Sequence, residues 1–135
     1  MAHVFQTQLL NLIVEGVFDR FPNLRMALVE GGWSWLPSLM WRIDKDWKGL
    51  RREVPWNTQV PSEYIKQRIR LTLQPMDAPT DDRQLVELIE QLGSDDVLMY
   101  SSDYPHWHDQ TLPTGLTDGP RRKILRDNAR AFYDL

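Results

Sequence analysis

A chain of 135 residues carrying 16 Lys+Arg against 19 Asp+Glu, a formal charge of −3, has the size of one domain without a nucleic-acid binder's basic surplus. It has no cysteine, which removes disulfides, a thiolate nucleophile and any Cys-based metal site, and is compatible with a reducing compartment. The first residues do not read as a signal peptide, and no run approaches the roughly 18 apolar residues of a membrane span. The expectation is a soluble, cytoplasmic protein with neither nucleic acid nor membrane as partner.

The spacing of Phe5, Leu9, Leu12, Ile13 and Val17 predicts an amphipathic helix over 4–19, ended by Pro22. Residues 24–29 are mostly apolar and predict a short strand that stops at Glu30-Gly31-Gly32. Ser34 suits the N-cap of a second helix, with Pro37 in its first turn and Leu36, Leu39, Met40, Ile43 and Trp47 as its apolar stripe. Gly49, Pro55, Asn57 and Pro61 mark 49–62 as an irregular excursion, with a helical turn at 62–65. Alternation over 68–73 predicts a second strand, stopped by Pro75. Thr80 or Asp81 can cap a helix carrying Leu85, Val86, Leu88, Ile89 and Leu92, with Gly93 just past its end. A third strand at 97–100 runs into Ser101-Ser102-Asp103, and Pro105 forbids it from continuing as a paired ladder. Asp118-Gly119-Pro120 opens a last helix with Ile124, Leu125, Asn128, Ala129 and Phe132 on one face.

Helices and strands thus alternate strictly, which signals an α/β fold with a parallel sheet. A sheet of only three parallel strands would expose an unpaired edge on each side. The expectation is that the chain dimerises, aggregates or needs a partner.

All three strands end in polar or loop-forming residues on the same lip, where α/β proteins bind ligands and metals. Glu30 and Asp103 could face one cavity there, as ligands to a divalent cation or as a general-base and positioning pair. An aspartate after a strand is equally a common turn or cap residue. His106 and His108 form a His-x-His that on a strand would chelate a metal; in a loop after Pro105 they read as well as surface histidines. His3 sits on a helix remote from the strand ends. Gly31-Gly32 has neither a G-x-G-x-x-G context nor a P-loop lysine, so a phosphate cradle is not supported. Five of the six tryptophans fall between 33 and 56, either as aromatic core or with one or two lining a pocket for an apolar substrate. Trp33, His106 and Trp107 are the candidate substrate contacts.

Four separated segments carry a resemblance. They are Gly16-Val17-Phe18-Asp19-Arg20-Phe21-Pro22-Asn23-Leu24-Arg25, Glu30-Gly31-Gly32, Ser102-Asp103-Tyr104-Pro105-His106-Trp107 and Ile124-Leu125-Arg126-Asp127-Asn128-Ala129-Arg130-Ala131-Phe132-Tyr133. In this order they resemble the C-terminal part of the amidohydrolase-2 family, metal-dependent hydrolases of the amidohydrolase superfamily related to aminocarboxymuconate-semialdehyde decarboxylase. The resemblance implies a (β/α)8 TIM barrel, of which residues 1–135 would be one partial segment, helices 5–8 with strands 6–8. It implies that Asp103 is the strand-8 aspartate, which ligates a catalytic metal, usually zinc, and accepts a proton from metal-bound water. It places Glu30 where the decarboxylase branch carries the histidine of a His-Gly-Gly motif, leaving Glu30 between substrate orientation and acid/base work. It marks Asn128 as a structural asparagine and puts His108 where an acidic residue is expected.

The family's strand-1 His-x-His and strand-5 histidine have no counterpart in the sequence. The chain is therefore expected to be a C-terminal portion of a metal-dependent hydrolase acting on a C–N or C–O bond of a small molecule, inactive by itself. The alternatives are a non-oxidative decarboxylase of an aromatic or enoic acid, and a non-catalytic half-barrel that binds a ligand or assembles.

Overall fold

In the computed structural model, which describes residues 2–106 and 112–135, seven α-helices and three strands follow in the order α1 (Ala2–Val14), α2 (Val17–Arg20), β1 (Met26–Leu28), α3 (Leu36–Leu50), α4 (Pro61–Arg68), β2 (Ile69–Thr72), α5 (Asp82–Glu90), β3 (Leu98–Met99), α6 (Asp118–Arg122) and α7 (Asn128–Tyr133). A π-helical turn, Lys123–Asp127, joins α6 to α7. The strands form one parallel sheet in the order β1-β2-β3. Alternating elements and a parallel sheet bear out the α/β reading.

Leu28, Leu71 and Leu98 are in register across the sheet and all buried, each contributing about 2 kcal/mol of apolar burial. Leu9 and Ile13 of α1, Leu36 and Met40 of α3, Ile65 of α4, Leu85 and Ile89 of α5 and Ile124 of the π turn complete the core. No helix among the described residues is long and apolar enough to cross a membrane.

Three details depart from the sequence expectations. The first helix breaks after Val14 because Gly16 adopts φ 67, and a Cβ there would collide with the Trp56 ring. Trp56 also donates its indole N–H to the Val14 carbonyl at 2.6 Å. Ser34 does not cap α3: the cap position is Trp35, and the Ser34 hydroxyl is engaged elsewhere. The turn expected at 62–65 is a full helix, α4, that leads directly into β2. Of the two cap candidates for α5, Asp81 does the work, accepting from the Arg83 and Gln84 N–H groups at 3.0 Å each.

The expectation of two bare sheet edges holds on one side only. The π turn leaves the Ile124 carbonyl to accept from the Tyr100 N–H at 2.8 Å, and the Asn128 amide donates to the Leu98 carbonyl at 2.8 Å. The outer edge of β3 is thus bonded to the chain's own last helix, whereas among the described residues no backbone hydrogen bond reaches the outer edge of β1.

Candidate active-site lip

The sheet stops where its backbone turns out of the β region. Glu30, two residues past β1, has φ 58, and Asp103, four past β3, has φ 53. Left-handed backbone at non-glycine residues costs about 1–3 kcal/mol and concentrates at functional sites. Aspartate tolerates this region better than glutamate does.

Side chains staple the strand ends together. Thr72, last residue of β2, accepts from the Glu30 N–H at 3.1 Å and donates to the Gln74 carbonyl at 3.4 Å. The Gln74 N–H donates to the Ser101 hydroxyl at 3.2 Å, and the Gln74 side-chain oxygen accepts from the Met76 N–H at 3.0 Å. Gln74 is buried. These bonds tie β1 to β2 and β2 to β3 just beyond the last ladder bonds, so the lip inherits the rigidity of the sheet.

A second tie holds the loop after β1. Asp77 accepts from the Trp33 N–H at 3.0 Å and from the Ser34 hydroxyl at 3.1 Å. Gly32 takes φ +69 beneath it, and a Cβ at Gly32 would strike the Asp77 carboxylate. Consecutive N–H groups around a left-handed residue form a concavity suited to an anion; here the chain's own carboxylate fills it. Sequence reasoning placed Thr72 and Gln74 at the end of the second strand but gave them no role, and passed over Asp77. The only signal was that they lie where β2 runs out.

Of the expected site residues, the structure brings Asp103 and His106 together. The His106 Nδ1 lies 3.4 Å from Asp103 Oδ1, an ion pair only when the imidazole is protonated. The His106 N–H also donates to the Asp103 carbonyl at 2.9 Å. The Asp103 side chain is 11% exposed and that of His106 71%, so a sheltered carboxylate sits under an accessible imidazole. Glu30 is exposed, and its carboxylate makes no hydrogen bond with a described residue. β2 lies between β1 and β3, which sets their backbones roughly 10 Å apart. Trp33 is fully buried in the core, with its indole N–H unpartnered among the described residues. His3 lies on α1, whose Phe5 ring, two residues on, packs against Gly31 beside the lip, so the start of this helix is not remote from the strand ends. Trp107 and His108 fall outside the described residues.

The resemblance implies a divalent metal, and the donors among the described residues do not suffice for one. No three His, Asp or Glu side chains converge among the described residues. A catalytic ion of this kind takes three or more protein ligands. Asp103, even with His106 beside it, leaves such a site incomplete.

The family model for Amidohydrolase matches residues 1–135. The chain belongs to this family. It is 28% identical over 136 residues to a gamma-resorcylate decarboxylase of Rhodococcus jostii, covering 93% of this chain and 39% of that protein. The chain thus spans about two fifths of that relative's length. An amidohydrolase structure from Mycobacterium avium subsp. paratuberculosis superposes with TM-score 0.74 at 26% identity, covering 97% of this chain and 33% of the other. A dihydroxybenzoic acid decarboxylase from Polaromonas sp., solved with manganese and the inhibitor 2-nitroresorcinol, gives TM-score 0.70 at 23% identity, covering 99% of this chain and 41% of that one. These likenesses support an α/β fold with a parallel sheet, and the Polaromonas structure holds manganese.

Proposed function

We propose that this chain is the C-terminal part of a metal-dependent enzyme that removes the carboxyl group of a small hydroxylated aromatic acid without oxidation. The observation that carries the reading is Asp103: a sheltered carboxylate at the end of β3, beside His106, in a chain whose relative in Rhodococcus is a gamma-resorcylate decarboxylase. Asp103 supplies one ligand to the cation, zinc or manganese, and the remaining ligands come from outside these residues, from the rest of a barrel or a partner chain. His106 and Trp107 contact substrate at the lip, Trp33 supports that contact from the core, and Glu30 orients substrate or moves a proton. The activity belongs to the completed, cytoplasmic assembly.

Glu30 favours a second reading. It stands where the resemblance puts a histidine in the decarboxylase branch, and a carboxylate there suits hydrolysis of a C–N or C–O bond. The two readings part on the product released.

The test begins with metal content after incubation with Mn2+ or Zn2+ and desalting. This chain alone should retain far less than one ion. Joined to a polypeptide that supplies a strand-end His-x-His and a further strand-end histidine, it should retain about one per chain, lost on Asp103→Ala. Release of CO2 from 2,6-dihydroxybenzoate by that assembly supports decarboxylation, whereas cleavage of an amide or ester panel without it supports hydrolysis. Full metal retention by the Asp103→Ala assembly overturns the assignment of Asp103. An assembly that binds neither metal nor substrate returns the chain to the non-catalytic half-barrel.

A further inference from the structure

α3 carries two faces of opposite character. Leu36, Met40 and Ile43 on one side are buried in the core. Trp41, Lys45 and Lys48 recur at spacings of four and three, which sets them in one row on the opposite side. Arg51, the cap residue, keeps helical backbone at φ −55 and ψ −23, so the row runs on to Arg52, about 16 Å from end to end. The side chains of Trp41, Lys45, Lys48, Arg51 and Arg52 are all exposed, and Trp41 is 58% exposed.

The side chains of Lys45, Lys48, Arg51 and Arg52 make no hydrogen bond or ion pair with a described residue. Elsewhere Arg25, Lys66, Arg122 and Lys123 each hold a carboxylate. The carboxylates nearest the row in sequence are engaged or turned to other sides of the helix. Asp44 accepts from the Ser62 N–H at 2.9 Å on the α4 side, Asp46 pairs with Arg42 at 2.7 Å, and Glu53 lines the groove between α1 and α3. The row therefore presents positive charge without internal compensation. The formal charge of −3 over the whole chain hides this face, and a peripheral membrane contact needs no spanning helix.

We infer that the outer face of α3 docks on an anionic phospholipid bilayer, with Trp41 at the lipid–water boundary and Lys45, Lys48, Arg51 and Arg52 over the headgroups. Indole rings favour that boundary, and the long stems of Lys and Arg lie along it while their heads stay among the headgroups. Each such cation adds to the attraction of an anionic leaflet. An acidic protein segment fits less well. The row is the convex back of a helix, and the groove in which a partner's apolar side chain would seat opens on the other flank of α3, along Leu39, Ile43 and Leu50. Nucleic acid is disfavoured by the excess of 19 Asp+Glu over 16 Lys+Arg in the chain. The docking does not depend on what the lip catalyses.

The test is co-sedimentation of the full chain with vesicles at low ionic strength. The chain should pellet with vesicles of equal parts phosphatidylglycerol and phosphatidylcholine, stay in solution with phosphatidylcholine alone or without lipid, and be released by added salt, which screens the attraction. Lys45→Gln, Lys48→Gln and Arg52→Gln together should weaken the partition about hundredfold, about fivefold for each cation. Arg126→Gln, at an exposed arginine on the C-terminal π turn, should leave it unchanged. Brominated lipid in the anionic vesicles should quench the tryptophan emission, and Trp41→Phe should remove most of that quenching. Equal pelleting with neutral vesicles, undiminished pelleting of the triple variant or undiminished quenching in Trp41→Phe overturns the inference. So does retention of the chain by poly-glutamate or single-stranded DNA without binding to the vesicles. The lipid comparison and the salt series need only the unmodified chain, so they decide the matter even if a variant fails to fold.

Discussion

The Asp77 carboxylate accepts from Ser34 twice, from the hydroxyl at 3.1 Å and from the backbone N–H at 3.4 Å. The loop after β1, which carries Glu30, is thereby held by the loop after β2. Gly32→Ala pays twice at this point, once for the left-handed backbone, about 1 kcal/mol, and once for contact with Asp77. Asp77→Ala alone should cost about 1–2 kcal/mol through lost hydrogen bonds. The double variant should be more stable than the sum of the two losses, by about 1 kcal/mol, because the colliding carboxylate is gone. Urea unfolding of the four proteins checks this, and strict additivity would show that Gly32 and Asp77 do not meet.

Asn128, 4% exposed, donates to the carbonyls of Asp95 at 2.7 Å and Leu98 at 2.8 Å. Replacing it by leucine keeps an apolar body of similar size and leaves two buried acceptors unserved. The expected loss is about 2–4 kcal/mol, since each orphaned buried group costs roughly 1–3 kcal/mol. Asn128→Asp should be worse at neutral pH, as a carboxylate facing two carbonyls has no proton to donate. Denaturant midpoints of both variants give the comparison.

How much of this was legible in advance follows from the range of the forces involved. Element order came from apolar spacing, a local property, and Asp81 and Gly93 were readable because capping involves residues only a few positions apart. The reading of Asn128 as structural came from the resemblance, and its two backbone bonds supply the physical reason. The break at Gly16 was not legible, because the ring that fills the space where a Cβ would stand belongs to Trp56. The same holds for Asp77, whose partners lie 43 and 44 residues earlier. At the lip, Asp103 and His106 were each singled out in the sequence, but Asp103 was paired there with Glu30 and His106 with His108, and the contact between Asp103 and His106 came from the structure. The Glu30–Thr72 and Gln74–Ser101 ties join different strands and needed the sheet register.

Two exposed carboxylates should shape the acid limb of stability. The Thr114 hydroxyl and N–H hold Asp82 below its ordinary range, and the Arg25 guanidinium does the same for Asp134. A depressed carboxyl contributes stability that is present above its unfolded pKa, about 3.9, and is lost as pH falls through the lower folded value. The melting temperature should therefore be flat from neutrality to about pH 5 and fall below about pH 4. Asp82→Asn and Asp134→Asn should each be less stable than the parent at neutral pH and converge with it in acid. A constant offset between parent and variants across the whole range would remove these two groups as its source.

The sheet's two edges should differ in amide exchange. On β3 the Tyr100 N–H is bonded to Ile124 inside the molecule. On β1 the direction of the groups follows from the ladder. Leu71 and Leu73 donate toward β3, so Arg70 and Thr72 face β1, and the register Ala27↔Arg70 then turns the Ala27 N–H and C=O outward. In the isolated chain the Ala27 amide should exchange quickly and the Tyr100 amide slowly, even though both lie at the margins of the same sheet. A strand supplied by a second copy or by the rest of a barrel should protect Ala27 and raise the melting temperature with protein or partner concentration. Val29, 53% exposed beside that edge, offers the point to probe: Val29→Lys places a charge where the incoming strand would pack. It should suppress the concentration dependence while leaving Tyr100 protected. Slow exchange at Ala27 in a dilute monomer would mean that the edge of β1, like that of β3, is already covered by the chain itself.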